Sequence, residues 1–165
     1  MVFAYYSKLS RTDKAIYRRS DSIESVKIPI PVELKNKVIE LDSALGEENR
    51  LACEKVASYI LNYLAEQLQV PALQVRVLAS RPSNETEELH GLYEPEEGHK
   101  CARISVWMRT ARKKKIVAFR SFLRTLLHEF CHHLDYEYFL LRESFHTEGF
   151  FKRESDLLKQ LLGEN

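Results

Sequence analysis

The chain has 165 residues, of which 44% are hydrophobic and 30% are charged, and its formal net charge is +1. This length suits one compact domain and argues against two, and the composition excludes a disordered or fibrous protein. The balanced charge predicts no general attraction to nucleic acid or to a membrane surface.

The cysteines and the apolar runs predict a compartment. Cys53, Cys101 and Cys131 are odd in number, dispersed and outside any CxxC pair, so they favour the reducing cytoplasm over a disulfide framework. A short apolar run at the start is followed closely by charges, and no later run approaches the length of a membrane span. We therefore expect a cytoplasmic protein that is neither exported nor inserted into a membrane.

The first half of the chain predicts an extension, a helix and a strand. Residues 1–45 show the weakest pattern, with two prolines in KIPIPVEL that predict an extended segment, and we treat them as an N-terminal extension packing on the domain. Between residues 49 and 68, apolar residues recur at helical spacing and predict an amphipathic helix. Residues 73–80, LQVRVLAS, alternate apolar and polar side chains, as a half-buried strand does.

The next segments predict a hairpin followed by a long helix. HGLYEP (90–95) and ARISVWM (102–108) are short and β-prone, and the basic run RTARKKK would turn the chain after them. A sustained stripe of apolar residues then predicts a helix over about residues 116–138.

The end of the chain predicts one more amphipathic helix. It begins at Thr147 or Gly149 and ends at Gly163. The elements together predict one α+β domain over residues 1–165, with a small mixed or antiparallel sheet and its best-supported core in residues 89–160.

The long helix carries the sequence HExxH at residues 128–132, and this motif predicts a metal site. Residues four apart on a helix are rotated by only about 40° and lie about 6 Å apart along the axis, so His128 and His132 can reach one ion. Zinc binds imidazole nitrogen, and a catalytic zinc keeps one position for water. Glu129 is turned about 100° from His128 and would act as the general base on that water. The apolar stripe lies on another side of the helix, so the helix can pack and coordinate at once.

Two histidines leave zinc one protein ligand short, and the candidates downstream are His133, Asp135, Glu143, His146, Glu148 and Glu154. His133 points about 140° away from His128, which favours a surface position or one behind the ligands. Asp135 is interpreted as a carboxylate that accepts a hydrogen bond from a ligand imidazole and fixes its tautomer. His146, just after the helix, is the favoured third ligand, and the glutamates keep a site of two histidines and one glutamate open.

The chain resembles the zincin class of zinc metallopeptidases, and within it the SprT-like and minigluzincin-like proteins. The resembling segments are GLY (91–93), RISVW (103–107), TLLHEFCHHLDY (125–136) and HTEGFFKRE (146–154).

The resemblance implies a zincin-like fold with an active-site helix and a C-terminal helix. It implies His128, His132 and His146 as zinc ligands and Glu129 as the catalytic carboxylate. It also implies an edge strand beside the cleft, to which an extended substrate adds, and RISVW with Ile104 and Val106 is the candidate.

These observations predict a zinc-dependent metallopeptidase that hydrolyses peptide bonds of a peptide or protein substrate with a metal-activated water. One alternative is a non-catalytic metal-binding module with a closed sphere of four ligands. Another is a protease of the ImmA/IrrE kind, dedicated to one regulator. The basic residues Arg112, Lys113, Lys114 and Lys115 could contact nucleic acid, but a solvated turn is the favoured interpretation.

Overall fold

Five helices and three strands make up the described part of the chain, residues 2–84 and 86–164, in a computed structural model. A short 3₁₀ turn over Ala4–Lys8 comes first. In chain order the elements are α1 (Arg11–Asp21), α2 (Val32–Gly46), α3 (Arg50–Gln67), β1 (Gln74–Ser80), β2 (Gly91–Glu94), β3 (Arg103–Arg109), α4 (Phe119–Glu137) and α5 (Glu148–Leu162).

The three strands form one mixed sheet in the order β1-β3-β2. β3 pairs with β1 in parallel and with β2 in antiparallel orientation, so the predicted hairpin and the small sheet of the α+β domain are confirmed. β3 is the central strand, and Ile104 lies opposite both Val75 and Tyr93. The prediction that Ile104 and Val106 offer a free edge to a substrate is wrong, because β3 is hydrogen-bonded on both sides and these two side chains are buried.

The helices cover the sheet and share one hydrophobic core with it. α3 packs on β1 and on α2, while α4 lies against β2 and β3 and also packs on α5. The side chains of Asn49 and Thr147 cap the N-termini of α3 and α5 by accepting hydrogen bonds from Ala52 N and Phe150 N. Gly163 ends α5 in the left-handed conformation that glycine adopts without strain.

The N-terminal extension contains two helices that the pattern did not predict. α1 is so polar that only Tyr17 and Ser20 are buried in it, and it therefore shows no apolar stripe. The extended segment ends at Pro31, directly before α2, whose buried residues fall at helical spacing at Leu34, Val38, Leu41 and Leu45. Both helices pack on α5, which places the extension beside the C-terminal half of the fold. Among the described residues, no helix combines the length and the apolar character that a membrane span requires.

Candidate metal centre

The helix α4 presents an apolar face to the core and two histidines to a pocket. Phe122, Leu126, Leu127, Phe130 and Leu134 are buried at helical spacing, and this burial fixes the rotation of α4 about its axis. His128 and His132 are half-buried on a different face, where both line the pocket. The predicted separation of packing face and ligand face is therefore present.

His146 lies in the loop between α4 and α5, one residue before the N-cap of α5. Its neighbour Thr147 caps α5, which fixes the backbone next to the imidazole. On the other side, the hydroxyl of Tyr5 donates a hydrogen bond of 2.8 Å to the backbone carbonyl of His146. Tyr5 and the N-cap residue Thr147 together hold His146 over the face of α4.

The three histidines bring their nitrogen atoms together. One ligand atom from each of His128, His132 and His146 lies within 4.8 Å of the other two, and the Nε2 atoms of His132 and His146 are 3.0 Å apart. Nitrogen atoms bound to one tetrahedral zinc at about 2.0 to 2.1 Å are about 3.3 Å from each other. The three side chains therefore fit a zinc ion after small adjustments.

Two acceptors orient the rings of the helical histidines. The Nδ1 of His128 lies 3.0 Å from Glu154 Oε1, and because a carboxylate only accepts, the imidazole donates. The Nδ1 of His132 lies 2.6 Å from Ser144 Oγ, whose hydroxyl proton is donated to Asp135 Oδ2, so His132 donates as well. Each ring therefore carries its proton on Nδ1 and directs the Nε2 lone pair toward the centre of the cluster.

A buried ion pair anchors this hydrogen-bond chain. Asp135 Oδ1 accepts a bond of 2.9 Å from Arg153, and both side chains are almost fully buried. The guanidinium also donates to the backbone carbonyls of Ser20 and Ile23, at and just beyond the end of α1. The direct hydrogen bond that we predicted between Asp135 and a ligand imidazole is replaced by one through Ser144, because the loop after α4 inserts this serine between them.

Replacing Ser144 with Ala should weaken metal binding by about 10- to 100-fold, the usual effect of losing a hydrogen-bond partner behind a ligand. The variant also leaves His132 Nδ1 and Asp135 short of a partner, at a cost of about 1 to 3 kcal/mol in the free energy of unfolding. Competition with a chromophoric chelator measures the affinity, and urea titration measures the stability. The exposed Ser121 of α4, changed to Ala, is the matched control. Equal affinity of Ser144→Ala and the parent would mean that this contact does not orient His132.

Two histidines of the cluster, His132 and His146, are held in the neutral form that binds a metal ion. Burial, reinforced by His128 and His146, lowers the pKa of His132 to about 3. Burial also lowers the pKa of His146. A metal ion binds the unprotonated imidazole, so at neutral pH these two side chains need not release a proton to bind one.

Glu129 lies in the same pocket, which has a volume of about 590 Å³. This residue is 7% exposed, and within the described ranges no group donates a hydrogen bond to its carboxylate. Burial raises its pKa to about 7, against a smaller opposing effect of His128. A carboxyl group with this pKa can take up and release protons near neutral pH, as a general base must.

The close approach of β2 to α4 depends on Gly91, a residue whose role the sequence analysis did not identify. A Cβ atom on Gly91 would lie 2.8 Å from both Glu129 Oε1 and Thr125 Cγ2. Any side chain at this position would therefore push the Glu129 carboxylate out of its place. The local signal for this requirement was the glycine inside a strand pattern, which often marks a close approach.

His133 lies in the core, so the surface position that we considered is wrong. Its Nε2 donates 2.8 Å to the carbonyl of Pro71, and its Nδ1 accepts 2.8 Å from the hydroxyl of Tyr93. This arrangement ties α4 to the loop before β1 and to β2. It also uses the Tyr93 hydroxyl proton, so Tyr93 is not free to donate to a ligand. Cys131 is buried, and burial raises the pKa of its thiol well above the ordinary value, as in a packing residue.

The remaining predicted residues lie outside the cluster. Among the residues that the structure describes, the histidine group includes neither Glu143 nor Glu148, and Glu154 contacts His128 on the nitrogen away from the cluster. The basic residues Arg112, Lys113 and Lys115 line a separate depression at the turn between β3 and α4. They do not take part in the candidate metal centre.

Comparisons with models of protein families, with curated proteins and with solved structures found no match to this chain. The resemblance to zincins therefore stays a prediction from the motif residues. The geometry of the cluster supports a metal site independently of it.

Proposed function

We propose that the protein is a zinc-dependent peptidase in which His128, His132 and His146 hold the metal and Glu129 is the general base. One observation carries this proposal: three imidazole nitrogens meet beside a buried carboxylate that has no hydrogen-bond partner among the described residues. A metal site that only stabilises the fold has no need of such a carboxylate.

Each side chain has a defined task in this reaction. A zinc ion at the cluster would act as a Lewis acid and lower the pKa of a water molecule toward about 7. Glu129 takes a proton from the attacking water and passes it to the leaving amine. Tyr136 and His90 line the same pocket and are the candidates to donate a hydrogen bond to the developing oxyanion.

The strand that receives the substrate is β2 in this proposal. Within residues 2–84 and 86–164, β2 pairs with β3 along one edge and with no strand along the other, and Gly91, Leu92 and Tyr93 line the pocket. An extended peptide can add to the other edge as a further strand, which would bring its backbone past the histidines. The sequence analysis assigned this role to β3, the other strand of the hairpin, which is paired on both sides.

The alternatives predict different geometry or different selectivity. A closed structural site has four protein ligands, whereas the cluster in the described residues contains three, which favours an open position. A protease dedicated to one regulator would have the same cluster and would fail to cleave unrelated peptides.

We assign the protein to the cytoplasm because all three cysteines are unpaired, including the exposed Cys101.

Removal and return of zinc tests the proposed function. We expect the purified protein to hold one equivalent of zinc and to cleave members of a mixed peptide library. Dialysis against a chelator should abolish cleavage, and stoichiometric zinc should restore it. A zinc-loaded protein that cleaves neither the library nor a natural partner protein, while zinc raises its melting temperature, would identify a structural site instead.

A further inference from the structure

Arg124 provides a positive charge in the lining of the pocket. It lies four residues before His128 on α4, so the two side chains leave the helix on neighbouring positions of one face, about 6 Å apart along the axis. Among the described residues that line the pocket, it is the one lysine or arginine. Its side chain is 41% exposed, which leaves it accessible to a molecule in the pocket.

The guanidinium of Arg124 is only partly used by the protein itself. Its Nη1 lies 3.3 Å from Ser155 Oγ and 3.6 Å from Glu154 Oε2. The other oxygen of Glu154 accepts the hydrogen bond from His128, so Arg124 shares this carboxylate with His128. An arginine has five N–H donors in a planar fork, and no hydrogen bond from Nε or Nη2 of Arg124 is formed within the described residues.

The position of Arg124 on α4 indicates which residue of a bound peptide it could contact. An extended peptide advances about 3.3 Å per residue. A peptide that lies along this face of α4 would therefore bring a residue one or two positions from the bond facing the histidines within reach of Arg124. Among the groups of an unmodified peptide, the one that accepts two parallel hydrogen bonds from a planar fork of N–H donors is a carboxylate.

We propose that Arg124 forms a subsite for a substrate carboxylate, one or two residues from the cleaved bond. This inference rests on the proposed function, since it names the selectivity of the same site. The carboxylate belongs either to an acidic side chain or to the C-terminus of the substrate. In both cases the fork of Arg124 binds the two oxygens, and the enzyme prefers the acidic substrate to its neutral counterpart.

Pairs of peptides that differ in one carboxylate test this subsite. In one pair the C-terminus is either free or amidated. In each other pair a single position, one or two residues before or after the cleaved bond, is either Glu or Gln. We expect one pair to show a preference of about 10- to 100-fold in kcat/KM for the acidic member, the range of a charge-assisted hydrogen-bonded pair. The pair that shows it identifies the source of the carboxylate.

The variants separate selectivity from a structural role. Arg124→Gln should bring the ratio of acidic to neutral kcat/KM close to unity, and Arg124→Lys should keep part of it, because lysine retains the charge without the fork. If Arg124 acted only by holding Glu154, both members of each pair would lose activity by the same factor and the ratio would stay. Arg120→Gln is the matched control, since Arg120 lies on the same helix, pairs with Glu164 and does not line the pocket.

A binding measurement tests the subsite independently of hydrolysis. Fluorescence anisotropy with zinc-loaded Glu129→Gln protein measures affinity for the same peptides without turnover. Discriminated binding without cleavage by the parent would count against the proposed function and support the subsite. The subsite would be overturned if the acidic and neutral members of every pair bound with equal affinity and were cleaved at equal rates. It would also be overturned if no peptide were bound or cleaved.

Discussion

Replacing Glu129 with Gln should reduce peptide hydrolysis by roughly 10²- to 10⁴-fold while zinc stays bound. Zinc should stay because Glu129 is not part of the histidine cluster, and hydrolysis should fall because an amide cannot accept the proton of the attacking water. The measurement is kcat on a peptide that the parent cleaves, together with the zinc content of both proteins. Glu143→Gln removes an exposed carboxylate of the neighbouring loop and should change neither quantity.

The same variant has a second expected effect, on stability without metal. Burial raises the pKa of Glu129 from 4.5 to about 7, so between these pH values the folded protein binds a proton that the unfolded chain has released. The free energy of unfolding therefore falls as the pH rises through this window and stays lower above it. The neutral amide of the variant does not ionise, so the variant should be more stable than the parent by up to about 3 kcal/mol at pH 8.

Urea titration in the presence of a chelator, at pH 4 and at pH 8, measures this difference. The gain in stability should be present at pH 8 and nearly absent at pH 4, where Glu129 is protonated in the folded state. If the variant cleaved as fast as the parent, Glu129 would not be the base. If its stability followed the parent at both pH values, the carboxylate would not be held in a desolvated site.

Replacing His146 with Ala should weaken zinc binding by at least about 100-fold, more than the loss of a residue behind a ligand costs. Two of three ligands remain, and they belong to one helix that is already formed, so the fold should persist. His146 is exposed and its carbonyl, not its ring, bonds to Tyr5, which also argues against unfolding. Chelator competition measures the affinity, and circular dichroism checks the fold.

Two further variants complete the test of the third ligand. His146→Cys supplies a thiolate that zinc also accepts, and it should regain part of the lost affinity. His99→Ala removes an exposed histidine far from the motif in sequence and should bind zinc as the parent does. Parental affinity in His146→Ala would exclude this histidine and bring Glu143 or Glu148 back as the third ligand.

The sequence was most informative where the structure is local. The periodicity of α4 and the i, i+4 spacing of His128 and His132 depend only on the geometry of one helix, and the structure confirms that the two histidines share a face apart from the apolar stripe. The hairpin and the N-cap of α5 at Thr147 also follow from local signals. These elements could be predicted because neighbouring residues determine them.

The sequence was least informative where distant segments meet. The order of strands depends on pairing between β1 and β3, which no local pattern contains, and the edge strand was therefore misassigned. Ser144 has no motif that distinguishes it from a surface serine, although it bridges His132 and Asp135. In α2 the signal was present, because Leu34, Val38, Leu41 and Leu45 are spaced as a helix requires.

The ion pair between Asp135 and Arg153 has a consequence for the boundaries of the functional unit. The guanidinium is bonded to carbonyls of Ser20 and Ile23, and Gly149 packs so closely on the end of α1 that a Cβ there would collide with Asp21 O. A fragment of residues 89–160 would retain every proposed zinc ligand. Without α1, however, the charged Arg153 would lose the carbonyl partners that it has at Ser20 and Ile23. The histidine cluster and Glu129 therefore cannot be expressed as a short fragment in their native geometry, because α1 supports Arg153 behind them.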